Sequence, residues 1–173
     1  PIFDELQYSY VLVEYTGYTG DGKSPSKEAI LKDVEDMVEF VDTQSYETLV
    51  VMGASLGSGP AFYHTSKQPT DKLVLITPFD STVSVAKKMF PYYPVSLLLT
   101  ENYDNVPYIN SVNSICILHG TNDRTIPIEH AEHLFNALPT SDKVFYKIQD
   151  ATHGSIYNDK EFLDNVTMCL ETV

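Results

Sequence analysis

Three side chains that together could transfer an acyl group lie in three separate turns of the sequence. Ser55 stands in residues 53–57, a Gly-x-Ser-x-Gly run whose small flanking residues allow a sharp turn that exposes the serine hydroxyl. Asp123 and His153 each lie in a short polar stretch that follows an apolar run. A serine needs a base, and the base needs an orienting acid, so these residue types fit a nucleophile with its acid and base.

Apolar runs alternate with amphipathic stretches along the chain, which predicts a mostly parallel sheet with helices on both faces, an α/β fold in one domain over residues 1–173. The region 89–112 has weak periodicity and is predicted as an irregular, cap-like excursion over one end of the sheet. A helix is predicted after Pro25, with Ser24 as its N-cap and Ile30, Val34 and Val41 on its buried face. The other predicted elements are strands at 8–14, 48–53, 72–77, 115–119 and 143–148 and helices at 56–65, 128–138 and 159–170.

This organisation places Ser55, Asp123 and His153 at the carboxyl ends of three strands, where open α/β sheets build their sites. The order serine, aspartate, histidine is the one expected of such a fold. Asp80 follows another predicted strand and is the rival acid, although the fuller motif around Asp123 favours the latter.

The motifs resemble those of the α/β-hydrolase superfamily, and most closely its branch of small esterase- and thioesterase-like serine hydrolases. The branch carries a Gly-Tyr-x-Gly turn before a Pro-Ser helix start, as at residues 17–20 and 25–26. The resemblance runs from residue 8 to the last helix and implies Ser55 as nucleophile, Asp123 as acid and His153 as base. It also implies the backbone N–H of Leu56 as one donor to the oxyanion.

The family pattern also contains elements that this sequence lacks. The resemblance implies further N-terminal strands, one of them between strands 8–14 and 48–53, and a loop that completes the oxyanion hole. Unpaired strand edges template pairing, so we expect a fragment or truncated form that self-associates through such an edge. Direct pairing of strand 8–14 with strand 48–53 is the other arrangement that would close the gap. A catalytically impaired or non-enzymatic domain is therefore the first alternative function.

A second alternative comes from residues 17–24, which read Gly-x-x-x-x-Gly-Lys-Ser and match a phosphate-binding P-loop literally. In that interpretation Lys23 would contact phosphates and Ser24 magnesium. Pro25 weighs against it, because the P-loop helix should continue there, and the Gly-Tyr-x-Gly turn accounts for Gly17 and Gly20 equally well.

Composition limits the partners. The chain has 11 basic and 24 acidic residues, a net charge of −13, which disfavours nucleic acids and anionic substrates. We therefore expect a small neutral ester or thioester as the acyl substrate. Its predicted binding residues are the apolar side chains of the irregular region: Phe90, Tyr92, Tyr93, Leu97 and Leu98.

The remaining expectations are negative. No apolar stretch approaches the roughly 18 residues needed to span a bilayer, and a cytoplasmic location is expected. Cys116 and Cys169 are predicted to be buried free thiols. His130 and His133 lie three apart on a predicted helix but do not form a His-Glu-x-x-His pattern, so they are interpreted as a solvated face. We expect neither a metal nor a cofactor.

Overall fold

The sheet of the protein is all parallel, as predicted. The computed structural model describes residues 2–20 and 22–171. Within them the strands follow one another in space in chain order, β1-β2-β3-β4. The strands are β1 (Val50–Ala54), β2 (Lys72–Ile76), β3 (Ser114–Gly120) and β4 (Asp142–Ile148).

Helices connect these strands and cover both faces of the sheet, which confirms the predicted architecture. Three of the helices lie outside the four predicted ones: a single turn near the start of the chain, a two-turn helix directly after β2, and a single turn inside the irregular region. The helices are α1 (Ile2–Glu5), α2 (Lys27–Asp42), α3 (Ser58–Lys67), α4 (Thr82–Met89), α5 (Val95–Leu98), α6 (Ile128–Ala137) and α7 (Lys160–Glu171).

Alternation along the central strands divides the apolar side chains between two cores. One core joins the sheet to α3 and α6, and the other joins it to α7. Because β2 and β3 are apolar on both faces, they can only lie inside the sheet, and both are completely buried. The α3/α6 core contains Leu73, Leu75, Ile115 and Ile117, and the α7 core contains Val74, Ile76, Cys116 and Leu118.

The predicted strand at residues 8–14 is wrong. These residues have no regular secondary structure and pair with no strand, and the Leu12 side chain is 80% exposed. Extended backbone is stable in a sheet only where a neighbouring strand satisfies its N–H and C=O groups, and β1 does not provide that pairing here. The alternative arrangement, direct pairing of this segment with β1, does not occur either, and the outer edge of β1 has no strand partner among the described residues.

The irregular region 89–112 contains two short helical pieces rather than none. α5 occupies its first half, and a 3₁₀ segment, Val106–Ser111, leads into β3. An isolated antiparallel bridge between Ser81 and Asp104 ties the region back to the end of β2.

Cys116 and Cys169 are buried, as predicted, but they are not free thiols. The structure joins them in a disulfide with Cα atoms 5.9 Å apart. Cys116 points from β3 toward α7, and Cys169 points from α7 into the same core. Sequence separation of 53 residues hid this proximity. Disulfides are uncommon in cytosolic proteins, so the structure lends no support to the expected location.

Candidate active site

The Gly-x-Ser-x-Gly run forms a sharp turn between β1 and α3. Ser55 has a φ of +52°, in the left-handed region that side chains other than glycine seldom adopt. A 3₁₀ turn, Ser55–Gly57, then leads directly into α3. Gly53 makes the turn possible, because a Cβ there would lie 2.5 Å from the Gly57 carbonyl oxygen. The turn thus holds the serine hydroxyl at the carboxyl end of the sheet.

The structure brings the three predicted side chains together. Nε2 of His153 lies 3.0 Å from Oγ of Ser55, and Nδ1 of the same ring lies 2.7 Å from Oδ2 of Asp123. The carboxylate can only accept, so Nδ1 carries the proton and Nε2 is left as an acceptor facing the serine hydroxyl. Residues separated by 98 positions in the chain therefore form one hydrogen-bonded series.

Asp123 is held firmly in its loop after β3. Its Oδ1 accepts hydrogen bonds from the backbone N–H groups of Thr125, at 2.8 Å, and Ile126, at 2.9 Å. Burial raises the pKa of Asp123, but hydrogen bonds with His119, the Ile126 backbone and His153 outweigh it and bring the pKa to about 2. His119 also braces the loop, since its Nε2 lies 2.8 Å from the Ile126 carbonyl oxygen. The carboxylate is therefore ionised at neutral pH.

Asp80, the rival acid, belongs to a separate cluster. Its two oxygens accept hydrogen bonds from Nδ1 of His130, at 2.8 Å, and Nδ1 of His133, at 2.9 Å. Burial raises the pKa of Asp80, but hydrogen bonds with His130, the Ser81 backbone N–H and His133 lower it to about 2. The prediction of a solvated face is wrong for His130, which is buried. The only signal in the sequence was the spacing of the two histidines.

A cavity of about 200 Å³ opens beside the serine hydroxyl, and we call it the Ser55 cavity. No charged side chain lines it, so it favours an uncharged group. Four of its lining residues belong to α4, the helix that was not predicted. The lining consists of Ser55, Leu56, Phe79, Thr82, Val85, Ala86, Met89 and Ile126.

The predicted substrate-binding residues are not part of this lining. Their side chains are exposed, from 51% for Phe90 to 96% for Tyr92. The prediction assumed that the apolar residues of the irregular region cover the strand ends, but α4 occupies that place. The five residues lie on the surface instead: Phe90, Tyr92, Tyr93, Leu97 and Leu98.

The predicted oxyanion donor is a backbone group. Leu56 follows Ser55 in the 3₁₀ turn, so its N–H lies next to the nucleophilic oxygen, while its side chain is 40% exposed. Sequence reasoning assigned no second donor.

The P-loop interpretation does not fit the local structure. A P-loop runs from a strand into a helix that begins at its Lys-Ser pair. Among residues 2–16 no strand precedes Gly17, and α2 begins at Lys27 with the Ser26 hydroxyl, rather than that of Ser24, as its N-cap. Gly17 has a φ of +89° and packs against Pro25, which fits the Gly-Tyr-x-Gly turn at residues 17–20 instead. Asp21, inside the motif, lies outside the described residues.

Comparison with known proteins agrees with this architecture. No family model matches the chain. An uncharacterised protein of Mycobacterium tuberculosis is 29% identical over 167 residues, which cover 94% of this chain and 58% of the relative. The chain thus spans a little over half the length of this curated relative and of an Escherichia coli relative that is 27% identical.

Two solved structures share the fold. An α/β-hydrolase enzyme from a lagoon-sediment metagenome has a TM-score of 0.67 at 21% identity, over 92% of this chain and 76% of that protein. The Pyrococcus furiosus esterase has a TM-score of 0.73 at 17% identity, over 99% of this chain and 73% of that protein. The protein therefore has the α/β-hydrolase fold, as the motifs implied.

Among the described residues, no helix is both long and apolar enough to cross a bilayer.

Proposed function

We propose that the protein is a serine hydrolase that cleaves a neutral carboxylic ester or thioester. The observation that carries the proposal is the series of hydrogen bonds from Ser55 through His153 to Asp123, at 3.0 and 2.7 Å. The esterase among its structural neighbours agrees with this class of reaction. The absence of charged side chains from the Ser55 cavity favours an uncharged acyl group.

In the proposed reaction, His153 Nε2 takes the proton of the Ser55 hydroxyl as Oγ attacks the carbonyl carbon. The bond from that carbon to the leaving oxygen or sulfur breaks, and His153 returns the proton to the leaving group. Water, activated by the same ring, then cleaves the acyl-enzyme and regenerates the hydroxyl. Asp123 keeps the imidazole in the required tautomer and stabilises its charged form.

The proposed oxyanion donor is the Leu56 N–H. An oxyanion hole of this kind usually has two backbone donors, and only this one is assigned here. Loss of a single donor costs about 10²–10³ in turnover, or roughly 3 kcal/mol, in enzymes of this type. We therefore expect the isolated chain to form an acyl-enzyme slowly.

A fluorophosphonate probe tests the proposal directly, because it reacts only with an activated serine. We expect labelling of the wild type and of Ser66→Ala, a matched control on an exposed part of α3, but not of Ser55→Ala. Well-folded wild type that stays unlabelled would favour the alternative, a non-enzymatic domain that retains the motif residues. If the wild type stays unlabelled but binds ATP tightly, nucleotide binding at residues 17–24 becomes the favoured function.

The substrate class needs its own measurement. Hydrolysis of short-chain and longer-chain p-nitrophenyl esters is compared with that of an aminoacyl amide. We expect the esters to be cleaved faster, and faster cleavage of the amide would contradict the proposed bond specificity.

We also propose that the isolated chain self-associates. The open edge of β1 and the unpaired residues 8–14 both leave backbone groups able to pair with another strand. Leu12, which is 80% exposed, adds apolar surface to the unpaired residues 8–14.

A further inference from the structure

The carboxylate of Asp80 has no part in the proposed proton transfer, yet both of its oxygens are engaged. Oδ1 accepts hydrogen bonds from the Ser81 backbone N–H, at 2.6 Å, and from Nδ1 of His130, at 2.8 Å. Oδ2 accepts from Nδ1 of His133, at 2.9 Å, and from the Ser84 hydroxyl, at 3.2 Å. Ser81 and Ser84 cap and begin α4, and the two histidines belong to α6. Asp80 therefore connects the start of α4 to α6.

The α6 end of this connection is a fixed part of the core. Ala131 and Leu134 on the same helix are completely buried in the core that joins α6 to the sheet. His130 is buried as well, and its Nε2 has no hydrogen-bond partner among the described residues. A buried imidazole with an unpaired nitrogen costs free energy that an apolar side chain would not. The polar contribution of His130 is therefore its bond to Asp80.

The α4 end of the connection is held mainly by polar contacts. α4 has no fully buried side chain, so apolar packing does little to fix its position. An ion pair between Lys88 and Glu129, at 3.0 Å, also joins α4 to α6, but both side chains are about half exposed and such pairs contribute little. Asn102 adds a bond from another segment, since its Oδ1 accepts from the Val83 N–H at 3.1 Å. The buried contact of α4 with α6 is thus the one through Asp80.

The position of α4 matters because this helix forms much of the wall of the Ser55 cavity. Its contribution to the lining consists of Thr82, Val85, Ala86 and Met89. Phe79, which directly precedes Asp80, lines the same cavity. Asp80 therefore lies between two parts of one apolar wall. A wall of this kind acts on a bound chain through close contact, which is lost if the helix moves away.

We propose that Asp80 is a positioning residue that determines substrate specificity: by bonding to His130 and His133 it holds α4 against α6 and so keeps the wall of the Ser55 cavity in contact with the apolar chain of the substrate. This inference rests on the proposed hydrolase function. Each methylene that an apolar wall covers contributes roughly fourfold to kcat/KM. The effect of Asp80 should therefore grow with the length of the chain in the cavity.

Two esters and a matched pair of substitutions test this role. Butyl butyrate has a long chain on both sides of its carbonyl, so one of them reaches the cavity wall in either orientation, whereas methyl acetate has none. Asp80→Asn replaces an acceptor oxygen by an amide N–H that faces other donors. Asp71→Asn is the control, because the Asp71 carboxylate lies at the other end of β2 and accepts from the Leu49 N–H at 2.7 Å.

The expected result is a change in KM that depends on chain length. We expect Asp80→Asn and His130→Leu to lower the ratio of kcat/KM for butyl butyrate to that for methyl acetate by about tenfold, mainly by raising KM for butyl butyrate. Asp71→Asn should leave the ratio within about twofold of the wild type. His130→Asn can donate from close to the position of Nδ1 and should restore most of the ratio. Equal losses for both esters, or losses confined to kcat, would overturn the specificity role.

A measurement without turnover tests the positioning itself. Hydrogen–deuterium exchange is followed for the amides of α3 and α4 in the wild type, Asp80→Asn and Asp71→Asn. We expect exchange in α4 to rise by about tenfold in Asp80→Asn alone, with α3 unchanged in all three proteins. Unchanged exchange in α4 of Asp80→Asn would overturn the inference.

The outcomes separate this inference from the proposed function. Faster exchange in α4 of Asp80→Asn, in a protein that no fluorophosphonate labels, would refute the hydrolase function but keep Asp80 as the residue that holds α4. Labelling and ester hydrolysis with an unchanged ratio of the two esters in Asp80→Asn would overturn the specificity role alone.

Discussion

The two sides of Ser55 are held by very different parts of the structure. On one side, His153 and Asp123 follow β4 and β3, which pair along all seven residues of each strand. On the other side, the outer edge of β1 has no strand partner among the described residues, and residues 8–14 remain unpaired with Leu12 exposed. The positions of His153 and Asp123 thus depend on the paired side, whereas Ser55 directly follows β1, the strand with the open outer edge. An ordered serine, histidine and aspartate can therefore form without a completed neighbouring edge.

The largest expected effect lies on the paired side. Asp123→Asn would leave the geometry nearly unchanged but favour the wrong tautomer of His153, and we expect kcat for an ester to fall about 10⁴-fold. The same substitution at Asp80, which bonds to His130 and His133 instead, should cost less than about tenfold. Steady-state kinetics on both variants decides between the two carboxylates. A larger loss for Asp80→Asn would transfer the role of acid to Asp80.

Stability should show the same contrast between the two sides. Leu118→Ala in the centre of β3 removes a completely buried side chain, so we expect the free energy of unfolding to fall by about 2–5 kcal/mol. Leu12→Ala should change it by no more than about 0.5 kcal/mol, because that side chain is already in solvent. Urea denaturation of dilute protein measures both. A large loss for Leu12→Ala would mean that the Leu12 side chain is buried in solution.

The next largest effect concerns acid and the cluster formed by Asp80, His130 and His133. The pKa of Asp80 is about 2 in the folded protein, below its ordinary value of 3.8. A depressed pKa stabilises the fold above about pH 4, and that contribution is lost as the pH falls from about 4 to 2. We expect Asp80 to contribute about 2 kcal/mol to the free energy of unfolding above pH 4.

The control for this prediction is Asp80→Asn. Its free energy of unfolding should fall less between pH 5 and pH 2 than that of the wild type, when both are followed by urea denaturation. Parallel pH profiles would show that the Asp80 cluster does not carry this acid sensitivity.

The smallest expected effect concerns the open side. Light scattering should show a weight-average mass that rises above the monomer value of 19.4 kDa with concentration. Leu12→Lys should reduce the rise, because charged residues on an open edge oppose strand pairing. A monomer at every concentration would contradict the proposed association.

The sequence predicted the paired side well because its signals are local. Continuous apolar runs at β2 and β3 can only be buried strands, and the motifs after β3 and β4 point to Asp123 and His153, which the structure brings next to each other and to Ser55. Residues 8–14 carry the same kind of apolar run. Whether such a run becomes a strand depends on a partner, and its own composition does not reveal whether one is present.

The errors around the cavity have a tertiary origin. α4 was missed because Thr82–Met89 is short and has no completely buried side chain to give it a clear apolar face, although Ser81 caps it with a bond to the Ser84 N–H. The bond between Asp80 and His130 joins residues 50 positions apart, which no local pattern encodes. Assigning the cavity wall to Phe90 and Leu97 followed from apolar composition alone.

The left-handed backbone at Ser55 also limits which nucleophiles this turn can present. A side chain branched at Cβ is a genuine outlier in that region, whereas aspartate and other unbranched residues enter it more readily. Threonine, despite carrying the same hydroxyl, would add its methyl group where the φ of +52° leaves least tolerance. Exchange of chemistry at this position therefore favours cysteine or aspartate over threonine, and the strain is tolerable rather than prohibitive, since Thr77 adopts a φ of +47° in the same chain.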